Sequence, residues 1–423
     1  MLDERILNDI AQGAGNIAAN LYSDIMKRII TRLCARLTEL GHAQFTGTDK
    51  WQIETLTEAG YLLDDIQKDI AKATKLQEIE IAQTMQYAGI KSFEADSQTY
   101  IDAGIIAPDE VIILPTGEIF TVPAADITQH PQYLNIMQRG YEKTMGTWRN
   151  FTGTTANNAH QTFIQECDRA YNLVMSNAVS YTEVYTEAIN RMVQNGLHVH
   201  YNAAGRPHRD TIETATLRAV RTGTAQACGD VSLQRMEDLN WDIVLVDAHM
   251  GARTANGNTA ANHAWWQGKF YSRSGRTSGM PPFDVCGYGT GEGLCGYNCR
   301  HSFAPGDGKH NPFAGMINSA ANQRAYEVSQ RQRELERRIR RTKGDVMAYE
   351  QAVKSSSGAA KEKLQHQYER SAAKLQKQNE RYNVFCNTHN LHRYDDRLKV
   401  AKWDRSKAAK ATQAANRWRK EHS

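Results

Sequence analysis

Between Cys286 and His301 the chain reads Cys-Gly-Tyr-Gly-Thr-Gly-Glu-Gly-Leu-Cys-Gly-Tyr-Asn-Cys-Arg-His, with five glycines in sixteen residues. Glycine weakens helices and strands and favours sharp turns, so this run has to be a tight irregular loop. Three cysteines and a histidine sit in it at the spacing C-x8-C-x3-C-x-H. Thiolates and imidazole suit tetrahedral Zn²⁺, which makes Cys286, Cys295, Cys299 and His301 candidate metal ligands. Structural zinc sites usually bring two close ligand pairs, whereas only Cys295, Cys299 and His301 lie close together here. A stapled or hydrogen-bonded loop is therefore the leading reading, with zinc as the alternative. Gly287, Gly289, Gly291 and Gly293 alternate as phosphate-binding glycines can, but Leu294-Cys-Gly-Tyr-Asn-Cys299 opens no helix after them, so their use is conformational.

The remaining four cysteines, at 34, 167, 228 and 386, are scattered, which does not describe a secreted disulfide scaffold. No apolar stretch approaches the roughly 20 residues that span a bilayer, so no membrane segment is expected. The start Met1-Leu-Asp-Glu-Arg5 lacks the order of a signal peptide, and synthesis in a cytosol follows as the expectation. Charge is unevenly spread. Residues 318–423 hold 25 Lys and Arg against 12 Asp and Glu, leaving 26 against 35 upstream. A basic tail on an acidic body suits contact with nucleic acid or an acidic surface, and equally a solvated helical arm.

The first hundred residues read as helices. Leu21, Ile25, Ile29, Leu33 and Leu37 form an apolar ladder that stops at Gly41. A second helix follows Asp49 with Leu56, Leu62, Leu63, Ile66 and Ile70, and a third runs through Glu78 to Tyr87. Two β-branched runs between Glu110 and Val122, broken by Pro115-Thr-Gly117, predict a β-hairpin. A helix over 159–195 uses Phe163, Ala170, Tyr171, Val174 and Met175 and ends at Gly196. An extended run Leu197–Tyr201, a turn at Ala204-Gly-Arg-Pro207, a helix from about Asp210 to Leu239 and a strand over Trp241–Asp247 complete an α+β unit.

From Asn318 a long charged helix carries Glu327/Arg331, Glu334/Arg338, Glu336/Arg340 and Glu350/Lys354 at four-residue spacing. Ser355-Ser-Ser-Gly358 breaks it, and a helix over 359–384 makes a hairpin, with Tyr394, Leu398 and Trp403 as packing residues beyond. The expected fold is α+β and predominantly helical. It divides into an N-terminal helical region (1–106), a β-hairpin and connecting segment (107–158), an α+β module with the Gly/Cys-rich loop (159–317) and a basic helical tail (318–423).

Asp247, His249, His263 and His301 follow a strand end and invite an acid-base or hydrolytic-metal reading, but no His-x-x-x-His pair, nucleophile elbow or phosphate loop accompanies them. Trp265, Trp266, Phe270 and Tyr271 read as core of the same module, or else as a partner surface.

The order Arg221-Thr-Gly-Thr-Ala-Gln226, Trp241-Asp-Ile-Val244, Ala248-His-Met-Gly-Ala-Arg253, Trp266-Gln-Gly-Lys-Phe-Tyr271, Gly287-Tyr-Gly-Thr-Gly-Glu-Gly-Leu294 and Asn298-Cys-Arg-His301 resembles the phage minor capsid protein 2 family, related in role to Mu F-like head morphogenesis proteins. The likeness is most specific from about Tyr171 to Ile339. Thr254–Asn262 looks like a small insertion, and no strong family signature follows Asn387. The resemblance implies a structural protein of a tailed bacteriophage with no catalytic residues. It would be made in the host bacterial cytoplasm and built into the virion head near the portal vertex, with portal protein and capsid subunits as partners. The alternatives are a nucleic-acid-binding packaging or ejection factor that touches packaged DNA through the tail, and a metal-dependent hydrolase.

Overall fold

The computed structural model describes residues 4–42, 48–107, 110–113, 119–122, 126–176, 179–203, 206–316 and 318–422. It is predominantly helical with small antiparallel sheets, the α+β class expected. Helix α1 (Glu4–His42) buries every rung of the Leu21 to Leu37 ladder. Helix α2 (Thr48–Asp102) is continuous for 55 residues and merges the two helices expected between Asp49 and Tyr87. No proline interrupts it, and at 1.5 Å per residue it is about 80 Å long. Its packing face holds Leu62 and Ile66, but Leu56 is exposed, contrary to the packing role expected for it.

Ion pairs lock α1 to α2. Arg28 binds Asp69 at 2.6 Å, and Arg32 binds Glu58 at 2.7 Å and Asp65 at 2.8 Å. Arg36, almost wholly buried, lies 3.8 Å over the Trp51 ring and donates to the Trp51 carbonyl at 2.9 Å.

The expected hairpin is present as β1 (Glu110–Ile113) paired with β2 (Ile119–Val122), while its Pro115-Thr-Gly117 turn lies outside the described residues. Helix α3 (Pro131–Met175) begins 28 residues earlier than expected, with proline in its first turn where a missing N–H costs nothing. It ends at Met175, which is exposed rather than packed. The stretch read as one helix to Asn195 is instead divided. Helix α4 (Tyr181–Asn195) restarts after a capping box in which Ser180 and Glu183 satisfy each other's backbone N–H groups.

Strands β3 (Val199–Ala203) and β4 (Arg206–Asp210) form their own antiparallel ribbon. Helix α5 (Ile212–Asp238) follows, capped by Thr211, and packs against α1, α2 and α3. The strand expected at Trp241–Asp247 is β5 (Ile243–Val246), the centre of a separate sheet of order β6-β5-β7, with β6 at Phe270–Ser272 and β7 at Phe303–Pro305. The strands before and after α5 thus belong to different sheets. A one-turn helix α6 (His263–Trp266) lies between β5 and β6.

Helices α7 (Ser319–Lys354) and α8 (Gly358–Thr388) make the expected hairpin, and a further helix α9 (Arg405–His422) packs back on α8. Two of the four expected Glu-to-base pairs form, Glu334 with Arg338 and Glu350 with Lys354. Glu327 instead accepts from Gln323, and Glu336 is buried, accepting from the Tyr382 hydroxyl at 2.8 Å. Leu398 is buried and Trp403 packs on the core, whereas Tyr394 stays partly exposed under the Arg397 guanidinium, 3.9 Å from its ring.

Apolar residues from α1 to α9 form one core, and a second, smaller core fills the sheet module with Val244, Val246, Trp266, Tyr271, Phe283, Leu294 and Phe303. Tyr100 of α2 and Met236 of α5 belong to this second core, so helices of the body supply part of the module's interior.

The module's edge is tied by Asp242. Its carboxylate accepts from Ser272 Oγ at 2.6 Å, Ser274 N at 2.7 Å and Thr277 Oγ1. Burial would raise this carboxyl, but the hydrogen bonds outweigh it and hold the group far below the usual carboxylate range. A depressed folded-state pKa contributes stability above the unfolded value, near pH 4, and loses it as pH falls. Asp242→Asn is expected to cost about 1–2 kcal/mol at pH 7, since the side chain is only half-buried. The gap between urea melts of the two proteins should narrow progressively as pH falls below about 4; a pH-independent gap would contradict this role.

Candidate functional site: a histidine and cysteine cluster

The glycine-rich run is a multiple-turn loop between β6 and β7. Leu294 N donates to Cys286 O at 2.9 Å, Gly289 N to Leu294 O at 3.0 Å and Tyr297 N to Gly291 O at 2.8 Å. At two positions only glycine fits without shifting backbone. A Cβ on Gly293 would lie 2.1 Å from Gly287 O, and one on Gly296 would lie 2.2 Å from Thr290 O. The loop is moored to α5 by Tyr288, whose hydroxyl bonds Gln226 O and Asp230 Oδ1, each at 2.8 Å. Arg253 braces it from the other side, donating to Glu292 O at 3.1 Å and Tyr297 O at 2.7 Å. No helix opens on its last glycine, in line with a conformational use of the run.

All seven cysteines are free thiols, so hydrogen bonds rather than a disulfide staple hold the loop. Of the four candidate ligands, Cys299 and His301 meet directly, with Sγ 3.6 Å from Nδ1. Cys295 lies beside them, its thiol 3.6 Å from the His301 carbonyl oxygen. Cys286 is elsewhere, buried in the second core, where it hydrogen-bonds the Tyr271 side chain. Burial pushes the Cys286 thiol up to about 12 and the Cys299 thiol up to about 11.

The histidines read separately from the sequence join the same cluster. His249 stacks on His301 with ring centroids 4.3 Å apart, and His263 meets His301 edge-on at 5.3 Å. Trp266 closes the group, its ring 4.8 Å from that of His301. A ring nitrogen of His263, a ring nitrogen of His301 and Cys299 Sγ lie within 4.8 Å of one another. Asp247 does not enter this set. It clamps the β5 and β7 ends, accepting from Ser302 N at 3.1 Å and Ser302 Oγ at 3.0 Å.

Hydrogen bonds define the histidine tautomers. His263 Nε2 is 2.8 Å from Glu292 O, and a carbonyl only accepts, so Nε2 carries the hydrogen. His301 Nε2 is 3.0 Å from Gln267 Oε1. That atom also accepts the His249 backbone N–H at 3.0 Å, which identifies it as the amide oxygen and gives His301 the same tautomer. Burial lowers His263 to about 4 against the opposing Glu292 hydrogen bond. His301 is held well below its ordinary value by burial and then by the neighbouring His249 and His263. Both rings are neutral at physiological pH.

Signals for this convergence were partial. Cys299 and His301 are two residues apart, whereas His263 arrives from α6, 36 positions upstream, by tertiary folding. Gln267, which orients both His249 and His301, was not singled out from the sequence.

The architecture is that of a predominantly helical protein carrying a small loop-closed module. A family model for phage minor capsid protein 2 matches residues 5–385, and the chain belongs to that family. It is thus a phage minor capsid protein and a component of the virion. The match covers the glycine-rich loop and both helices of the α7–α8 hairpin almost to the end of α8. No curated protein and no solved structure matches the chain. Among the described residues no helix is long and apolar enough to cross a membrane.

Proposed function

We propose that the protein is a non-enzymatic assembly component of the phage head that binds portal protein and capsid subunits at the portal vertex. The observation that supports this best is an apolar stripe on α2. Tyr61, Leu76, Ile79 and Tyr87 are 49–58% exposed. At 100° per residue they fall within an arc of about 80°. Large apolar side chains aligned on one helix face suit burial against a partner.

Portal protein is expected to co-purify with the chain from co-expressing cells, and the pair Leu76→Asp with Ile79→Asp should weaken that association by at least about tenfold with the fold intact by circular dichroism. Undiminished association of the double variant would remove the stripe from the interface, and failure of the wild-type chain to bind portal or capsid subunits would overturn the reading.

A second reading, contact with packaged DNA, is supported by the surplus charge of residues 318–423. Several bases there are engaged. Arg417 binds Glu369 at 2.7 Å, and Lys402 binds Asp24 of α1. Base and acid counts nevertheless leave an excess of thirteen positive charges over this region. Non-specific DNA binding through it would weaken steeply with added salt.

A further inference from the structure

We propose that His263, Cys299 and His301 constitute a binding site for a divalent zinc-class ion, which clasps α6 to the glycine-rich loop. The donor set is one thiolate and two imidazoles, the borderline-soft combination that suits Zn²⁺ over Mg²⁺ or Ca²⁺. It differs from the four ligands the local C-x8-C-x3-C-x-H spacing offered, because folding brings in His263 and leaves Cys286 and Cys295 out of the set.

Two features of the geometry carry the assignment. The first is spacing. With Zn–S near 2.3 Å and Zn–N near 2.1 Å, a tetrahedral angle puts the donor atoms about 3.6 Å apart. Cys299 Sγ and His301 Nδ1 are separated by 3.6 Å, and a ring nitrogen of His263 lies within 4.8 Å of Cys299 Sγ and of a His301 ring nitrogen. A closure of about 1 Å by a side-chain rotation would complete a ligand triangle.

The second is the orientation of the imidazoles. In each ring Nε2–H is committed to an oxygen acceptor, Glu292 O for His263 and Gln267 Oε1 for His301. Nδ1 is consequently the unprotonated nitrogen in both. His301 shows the pattern of metal-ligating histidines, with Nδ1 turned to Cys299 Sγ and Nε2–H held by a side-chain oxygen that sets tautomer and ring direction. A simple thiol–imidazole hydrogen bond would account for Cys299 and His301, but not for a third donor brought from α6 with the same tautomer.

Both histidines are buried and Cys299 is half-buried, so Cys299 is the most accessible of the three donors. Binding forms metal–ligand bonds and releases the Cys299 thiol proton to solvent, with no change of oxidation state. The site is structural. It adds the ion's binding free energy to the folded state and leaves the hydrogen-bonded loop otherwise as described.

The test uses untagged full-length protein. Zinc content is measured by mass spectrometry of the metal, and chelator-treated protein is titrated with Co²⁺ while thiolate-to-cobalt charge transfer is followed in the near ultraviolet. About one equivalent per chain, with the charge-transfer band, is expected. Cys299→Ser should abolish the band and His263→Gln should weaken cobalt binding by at least about tenfold. Cys286→Ser should leave both unchanged. Should Cys299→Ser fail to fold, alkylation of the wild-type protein decides the matter, because Zn²⁺ must slow modification of Cys299. Folded wild-type protein with no saturable cobalt binding, a folded Cys299→Ser variant that keeps the band, or zinc-insensitive Cys299 alkylation would each overturn the proposal.

Discussion

Replacing Arg235 by leucine is expected to destabilise the chain by about 3–5 kcal/mol, the range for breaking a buried charge network by removing one partner. Arg235 lies on α5 and is almost wholly buried. Its guanidinium donates to Phe93 O at 3.1 Å and Ser97 Oγ at 2.8 Å, both on α2. The same group covers the Phe93 ring at 3.8 Å and the Tyr100 ring at 5.0 Å. One turn away, the buried Asp96 carboxylate accepts from Ser232 of α5 and interacts electrostatically with Arg235. Leucine would fill part of the space while leaving that carboxylate and the Phe93 carbonyl without the cation they face. Arg235→Lys keeps the charge without the planar fork, so an intermediate loss is expected. Thermal melts by far- and near-ultraviolet circular dichroism measure both, and a loss under about 1 kcal/mol for leucine would show that α2 and α5 are not joined here.

Removing residues 318–423 is expected to yield an aggregating fragment rather than a soluble body that has merely lost a tail. Leu335, Ile339, Val346, Tyr349 and Ala352 of α7 are buried in the same core as the α1 ladder. The tail also bonds the body directly. The Tyr349 hydroxyl donates to Asn190 Oδ1 of α4 at 2.9 Å, and Gln351 Nε2 donates to Thr31 Oγ1 of α1 at 3.0 Å. Truncation would bare an apolar face, and size-exclusion chromatography should report aggregates where the full chain elutes as a defined species. A monodisperse, folded fragment would show that this packing is dispensable. DNA contact is accordingly better tested by exchanging exposed tail bases for glutamine than by deletion.

Much of the helical architecture was legible because its signals are local. The four-residue ladder of α1, the Ser355–Gly358 break and the Gly196 stop act through neighbouring residues. Where the decision lay elsewhere, the sequence said less. The 55 residues of α2 have no strong breaker, yet no large apolar residue stands between Ile70 and Leu76, and packing carries the helix through. Strands β6 and β7, three residues each, are too short for alternation to show. Helix α9 buries only alanines and sets the single large aromatic Trp418 against His366 of α8, and so left no ladder to read. The glycine-rich loop was recognisable as turns, but turn chemistry cannot say which distant side chain will face it. His263 reaches Cys299 only because the β5–β6 connection lies across the loop that leads into β7.

Tyr100 sits near the end of α2 and in the interior of the sheet module, while Tyr61, Leu76 and Ile79 stand exposed on the same rod. A helix without a break between them is a strut under load: a push on its outward face is passed along the axis instead of being absorbed by a hinge. A displacement of that face would accordingly arrive at Tyr100 and at the module core it helps to fill.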